Sequence, residues 1–167
     1  MISIRSVGRS GADGGNQKSK KPEERRLIMQ LIVGLKGTGK TKTLIEEVNK
    51  ASKETKGVVI CIEYGRKLNN DITTRARLVD ALEYEINSAD KLYGFVCGMI
   101  ACNYDITEIF IDSALKICND NVEEFEEFVV KVEKLAVAYN IRCLITASVE
   151  EGALSEKTAS YVCPVKQ

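Results

Sequence analysis

Apolar runs of strand length alternate with helical stripes from residue 27 onward. Residues 27–33, LIMQLIV, form one such run, and 57–63, GVVICIE, form a second that is near-continuously apolar, as a strand covered on both faces must be. A short third strand is predicted at 77–80, a fourth at 106–112 and a fifth at 141–146, with a last edge strand at 160–165. Between them lie three helices. The first spans 40–53 with Leu44, Ile45, Val48 and Ala51 on one face, and the second runs from about Ser88 to Ala101. The third opens at Asn121, with Glu124 three positions on as in a capping box, and turns Val122, Phe125, Val129, Val132, Leu135, Ala136 and Tyr139 to the core. Strand alternating with helix predicts an α/β fold, a mostly parallel sheet with helices on both faces in three layers.

Composition narrows the setting. The chain has 167 residues, enough for one domain with a sizeable core. The longest uncharged apolar stretch, 92–102, is far short of the roughly 20 residues a membrane span needs, and residues 1–15 lack the apolar centre of a secretory signal. A cytoplasmic location is expected. The six cysteines form no CxxC pair, and several fall in apolar runs, so buried reduced thiols are predicted. Formal net charge is zero, but residues 1–26 carry seven basic against three acidic side chains. A basic leader therefore precedes an acidic domain. With no aromatic interleaved, residues 1–28 read as a disordered leader ahead of a domain over 29–167. Because Glu23-Glu24-Arg25-Arg26 can be encoded by an almost pure purine run, Met29 is also a candidate natural start, with 1–28 as read-through.

The segment GLKGTGKT joins the first strand to the first helix. It matches G-x-x-x-x-G-K-[ST] from Gly34 through Gly39 to Lys40 and Thr41, in the strand-loop-helix context the motif requires. Gly34, Gly37 and Gly39 permit backbone conformations in which successive N–H groups converge on phosphate oxygens, and the helix N-terminus adds its partial positive charge. Lys40 would reach the β- and γ-phosphates and Thr41 would ligate Mg²⁺. Lys36, Thr38 and Lys42 complete the candidate nucleotide-binding set, the two lysines raising the local positive potential. ATP and Mg²⁺ are the expected ligands.

Two carboxylates end strands at the same sheet edge. Asp112 follows the apolar run 109–111, the Walker-B position of a metal-side carboxylate. Glu63 ends the second strand, where it either polarises a water for attack on the γ-phosphate or stands as a solvated strand-end residue. The order of Walker A, VVICIE, IFIDS, a long helix and RCLITAS over about 27–148 resembles the nucleotide-binding core of RecA-type ATPases. The separations are also similar: 23 residues from Lys40 to Glu63 and 72 from Lys40 to Asp112. The resemblance implies Glu63 as the water-activating residue and Asp112 as the metal-side carboxylate. In size the chain is similar to small bacterial P-loop proteins labelled twitching-motility (pilus-retraction) ATPases. Thr146-Ala147-Ser148 stands where the RecA-type family places a glutamine, which argues against nucleotide-gated DNA binding.

A guanine-reading N/T-K-x-D element is absent, which disfavours GTP switching. Three functions stay open: a slow or partner-stimulated ATP hydrolase, a nucleotide-sensing module that binds without turnover, and a small-molecule kinase. For the last, Arg66, Arg75 and Arg77 in the polar stretch 64–77 would form a lid or adenine-side loop with Asp71 near the base, against the plainer reading of a solvated surface loop. The expected partners are a nucleotide and another protein chain or a second copy, without nucleic acid. Gly94 and Gly98 make a G-x-x-x-G on the second helix, read as allowing close approach to the sheet.

Overall fold

Five parallel strands form one sheet in the order β1-β5-β4-β2-β3 in a computed structural model that describes residues 21–165. They are β1 (Met29–Val33), β2 (Val58–Glu63), β3 (Arg77–Asp80), β4 (Ile106–Ile111) and β5 (Arg142–Ala147). The long helices are α2 (Lys40–Glu54), α3 (Ala89–Cys102) and α5 (Val122–Tyr139); the short ones are α1 (Pro22–Ile28), α4 (Ala114–Ile117) and α6 (Glu156–Ala159). The expected α/β architecture with a parallel sheet is observed.

Right-handed crossovers explain where the helices lie. The chain moves one way along the sheet from β1 to β2 and back the other way from β3 to β4 to β5, so its connections fall on opposite faces. Leu44, Val48 and Ala51 of α2 pack with Ile32, Val59, Cys61, Phe110 and Leu144 on one face. Leu92, Val96 and Ile100 of α3 and Phe125, Val129 and Val132 of α5 pack with Leu31, Ile60, Ile62, Ile109 and Ile145 on the other. Adjacent strands whose connections leave to opposite faces open a crevice at their carboxyl ends. The glycine loop occupies that end of the sheet.

Strand register aligns the polar residues there. Ile62 pairs with Ile111 and Ile111 with Ile145, so the next residues along, Glu63, Asp112 and Thr146, form a row across β2, β4 and β5. Thr146 pairs in turn with Ile32 of β1, and Glu63 with Asp80 of β3. Side chains alternate along a strand, and Cys61, Phe110 and Leu144, two residues earlier, belong to the α2-side core. The whole row therefore faces α2.

Several local expectations are corrected. Residues 22–28 form α1, in contact with α5, where an irregular leader and the beginning of β1 were expected. The remainder of the proposed leader, residues 1–20, lies outside the described residues. Gly94 and Gly98 are exposed, with nothing within 4 Å of an added Cβ, so they do not bring α3 close to the sheet. The buried stripe of α3 is Leu92, Val96 and Ile100, and both glycines fall on the opposite side of the helix. Tyr139 is 54% exposed because α5 ends there, with Asn140 in the left-handed region. Cys61, Cys118 and Cys143 are buried, and burial pushes Cys118 and Cys143 up to about 12; Cys102 is exposed. The expected edge strand at 160–165 is a single parallel bridge of Val162 to Leu31. No helix among the described residues is long and apolar enough to cross a membrane.

Candidate functional site

The turn from β1 into α2 is made by glycines in conformations a side chain would oppose. Gly34, Gly37 and Gly39 have φ of 147°, 86° and 85°, all in the region that favours glycine. A Cβ on Gly34 would also press to 3.0 Å from Thr38 Oγ1, which donates to the Leu35 carbonyl at 2.8 Å. The loop ends at Gly39, the N-cap of α2, which supplies no side-chain cap, and the first turn of α2 holds no acidic residue. The opening N–H groups of a helix have no partner inside it. Here they border an open cavity.

Lys40 and Thr41, on the first turn of α2, point in different directions. The Lys40 ammonium turns back into the loop and donates to the carbonyls of Gly34 at 2.8 Å and Leu35 at 2.7 Å, with Thr38 Oγ1 at 3.3 Å. Burial holds that ammonium below the ordinary lysine value of 10.5, while the Asp112 carboxylate pulls the other way. Thr41 Oγ1 faces the end of β4 and donates to Asp112 Oδ1 at 3.1 Å.

Asp112 is 6% exposed and collects three hydroxyls. Thr146 Oγ1 donates to its Oδ1 at 2.8 Å and Ser113 Oγ to its Oδ2 at 3.0 Å, besides Thr41. The Ser113 N–H donates to Thr146 Oγ1 at 2.9 Å, an arrangement made with Ser113 at a φ of 56°. Thr146 and Ser113 thus fix both oxygens of the carboxylate.

A cavity of about 480 Å³ spreads from this point, within the range of small-molecule sites. One wall is Lys36, Gly37, Gly39, Lys40, Thr41 and Lys42; the other is Lys67, Leu68, Leu115, Lys116 and Asp120, with Asp112, Ser113, Thr146 and Ser148 at the base. Five lysines against two aspartates give it a net positive lining, complementary to an anion. Thr41 and Asp112 offer adjacent hard oxygen donors, the kind Mg²⁺ accepts when few of its ligands come from protein. Among the described residues no cluster of three His, Cys, Asp or Glu side chains could hold a metal. A divalent ion here would take its remaining ligands from water and from the bound anion.

Glu63 is not brought into this cavity. Its side chain is 2% exposed, and Oε2 accepts the backbone N–H groups of Lys67 at 2.7 Å and Leu68 at 2.8 Å. The carboxylate holds the turn that follows β2. Arg66, Arg75, Arg77 and Asp71 also lie outside the cavity lining. Arg66 pairs with Glu83 at 3.4 Å and Asp80 at 4.0 Å, and Arg77 begins the edge strand β3.

The glycine loop, Lys40, Thr41 and Asp112 are thus assembled as their spacing predicts. Thr146, Lys67 and Lys116 were not assigned to the site in the sequence. Thr146 carried one signal, a hydroxyl near the end of an otherwise apolar run; the two lysines look like ordinary surface residues. No protein-family model matches this chain, and no curated protein matches it.

Proposed function

We propose that the chain binds ATP with Mg²⁺ at the glycine loop and hydrolyses it slowly, as a compact P-loop ATPase. One observation carries the reading: Thr41, next to the loop lysine, donates to Asp112 from a different strand at the foot of three positive-φ glycines. Hydroxyl and carboxylate adjacent to the opening N–H groups of α2 suit a magnesium ion bridging to phosphate oxygens. When bound, that ion would neutralise charge building up on the terminal phosphoryl group. Thr41 and Asp112 would hold it, Lys40 would exchange the carbonyls of Gly34 and Leu35 for phosphate oxygens, and the α2 N-terminus would orient the chain of phosphates.

Slowness follows from what the cavity wall contains. A transition-state arginine is worth about 10³–10⁵ in rate, and among the described residues no arginine lines the cavity. A partner chain that supplies one would accelerate turnover.

Binding without turnover is a second reading, favoured by Glu63, whose carboxylate oxygen is taken up by two N–H groups instead of facing the cavity. Calorimetry with Mg-ATP and phosphate release from wild type, Lys40→Ala and Glu63→Gln test both. The primary reading expects heat on ATP addition, weakened by Lys40→Ala, together with measurable release. Binding with no release selects the second reading. Absence of heat from folded protein at millimolar Mg-ATP would overturn both.

A further inference from the structure

Resting on that reading, we propose that Lys67 and Lys116 meet the third phosphate from the wall opposite the glycine loop, so that the site itself separates triphosphate from diphosphate. The strand order sets the geometry. The loop rises from β1, Lys116 follows β4 and Lys67 follows β2, with the Asp112 carboxylate between the two walls. Two strand spacings, about 10 Å, separate β1 from β4, room for a phosphate chain that starts in the loop and points across.

Both lysines have fixed roots and uncommitted tips. The Lys67 N–H is held by Glu63 Oε2 at 2.7 Å, and the adjacent Leu68 is 3% exposed. Lys116 is the exposed residue of α4; Ala114, Leu115 and Ile117 around it are buried. Neither ammonium forms an ion pair among the described residues. Lys116 lies 5.4 Å from the centre of the Tyr64 ring, a weak hold at an exposed position that a charge-assisted phosphate contact exceeds.

On the loop side the Lys40 ammonium is already engaged. Lys40 sits deep among the loop carbonyls and would serve the inner phosphates, while Lys36 and Lys42 on the same wall are exposed. On the proposed reading the Asp112 side chain is occupied by the metal. An outermost phosphate that points across from the loop meets these two cations on the opposite wall. Glu63 then acts as a positioning residue, holding the backbone from which Lys67 extends.

The test uses the full chain with defined nucleotides. Reductive methylation with labelled formaldehyde keeps the lysine charge and yields one resonance per side chain, and Lys116→Arg identifies its signal by loss. Mg-ATP should shift the Lys116 signal away from its ring-shielded position, and Mg-AMP should leave it. In calorimetry, Lys67→Met and Lys116→Met should each reduce the preference for ATP over ADP about tenfold with ADP affinity unchanged, and Lys116→Arg should retain it. An unchanged preference in the double variant, or an equal fall for both nucleotides, overturns the proposal while the P-loop reading stands. Failure of wild type to bind either nucleotide removes that reading and this one together.

Discussion

Asp112 shows how one carboxylate is readied by neighbours far away in sequence. Thr41, Ser113 and Thr146 donate to it from α2, the turn after β4 and β5. All three are neutral, so the charge stays available to a cation. Asp112→Asn keeps the shape and removes the charge; under the proposed Mg-ATP reading, calorimetry with and without Mg²⁺ should show wild type gaining ATP affinity from magnesium and the variant losing that gain by about tenfold or more. Asp80 does a different task at the end of β3. Burial pulls its carboxyl up, but N–H groups of Gly65, Leu82 and Arg66 and the Arg66 guanidinium outweigh that and leave it below the ordinary 3.8. A lowered folded value means that its contribution is whole above pH 3.8 and disappears as pH falls through the lower, folded value. Asp80→Ala should therefore lower stability by about 1–3 kcal/mol at pH 7, with the gap to wild type narrowing below pH 3.8 in urea unfolding. At this scale the sequence was legible where chemistry is local. Gly34, Lys40 and Thr41 follow from spacing alone, whereas the turn-holding role of Glu63 depends on where Lys67 and Leu68 fold back, which no periodicity encodes.

Among the elements, glycines with similar sequence signals behave in opposite ways. Gly57, at the entry to β2, would direct a Cβ into the Thr107 side chain and the Asp105 carbonyl, and that carbonyl accepts the Val58 N–H at 2.7 Å. Gly57→Ala should destabilise by about 1–3 kcal/mol. Gly94 and Gly98 face open space on α3. Alanine at either should raise stability by about 0.5–1 kcal/mol, since helix propensity is then the only change. Denaturant midpoints of the three variants check both signs. The long elements were legible because their apolar periods are long; of the capping box expected at Asn121 one half forms, the Glu124 N–H donating to Asn121 Oδ1 while the Asn121 N–H goes to the Cys118 carbonyl, and at the head of α3 the Lys91 N–H donates to Ser88 Oγ. The short ones were not. Residues 22–28, PEERRLI, span two turns with no apolar repeat, and α4 is four residues anchored by burial of Ala114, Leu115 and Ile117.

Across the whole molecule, strand order decides what the site contains, and no single segment announces it. Asp112 and Thr146 meet because β4 and β5 are neighbours, and Thr41 reaches them because β1 lies next to β5. β1 is itself enclosed: the Leu31 N–H donates to the Tyr161 carbonyl at 2.9 Å, and the Cys163 N–H to the Leu31 carbonyl at 2.8 Å. Val165 then lies 3.6 Å from where a Cβ on Gly39 would be. Deleting residues 161–167 uncovers that edge and removes the buried Tyr161, 8% exposed, and should lower unfolding free energy by on the order of 3 kcal/mol, read from urea titration. The strand that carries the glycine loop is thus clasped on both sides by polypeptide that leaves the ribosome more than a hundred residues later. During synthesis, the first part of the pocket to be translated has to wait for the last part to close around it. A chain stalled before residue 161 would present an open strand edge along β1, so quality control during translation has a physical feature to recognise.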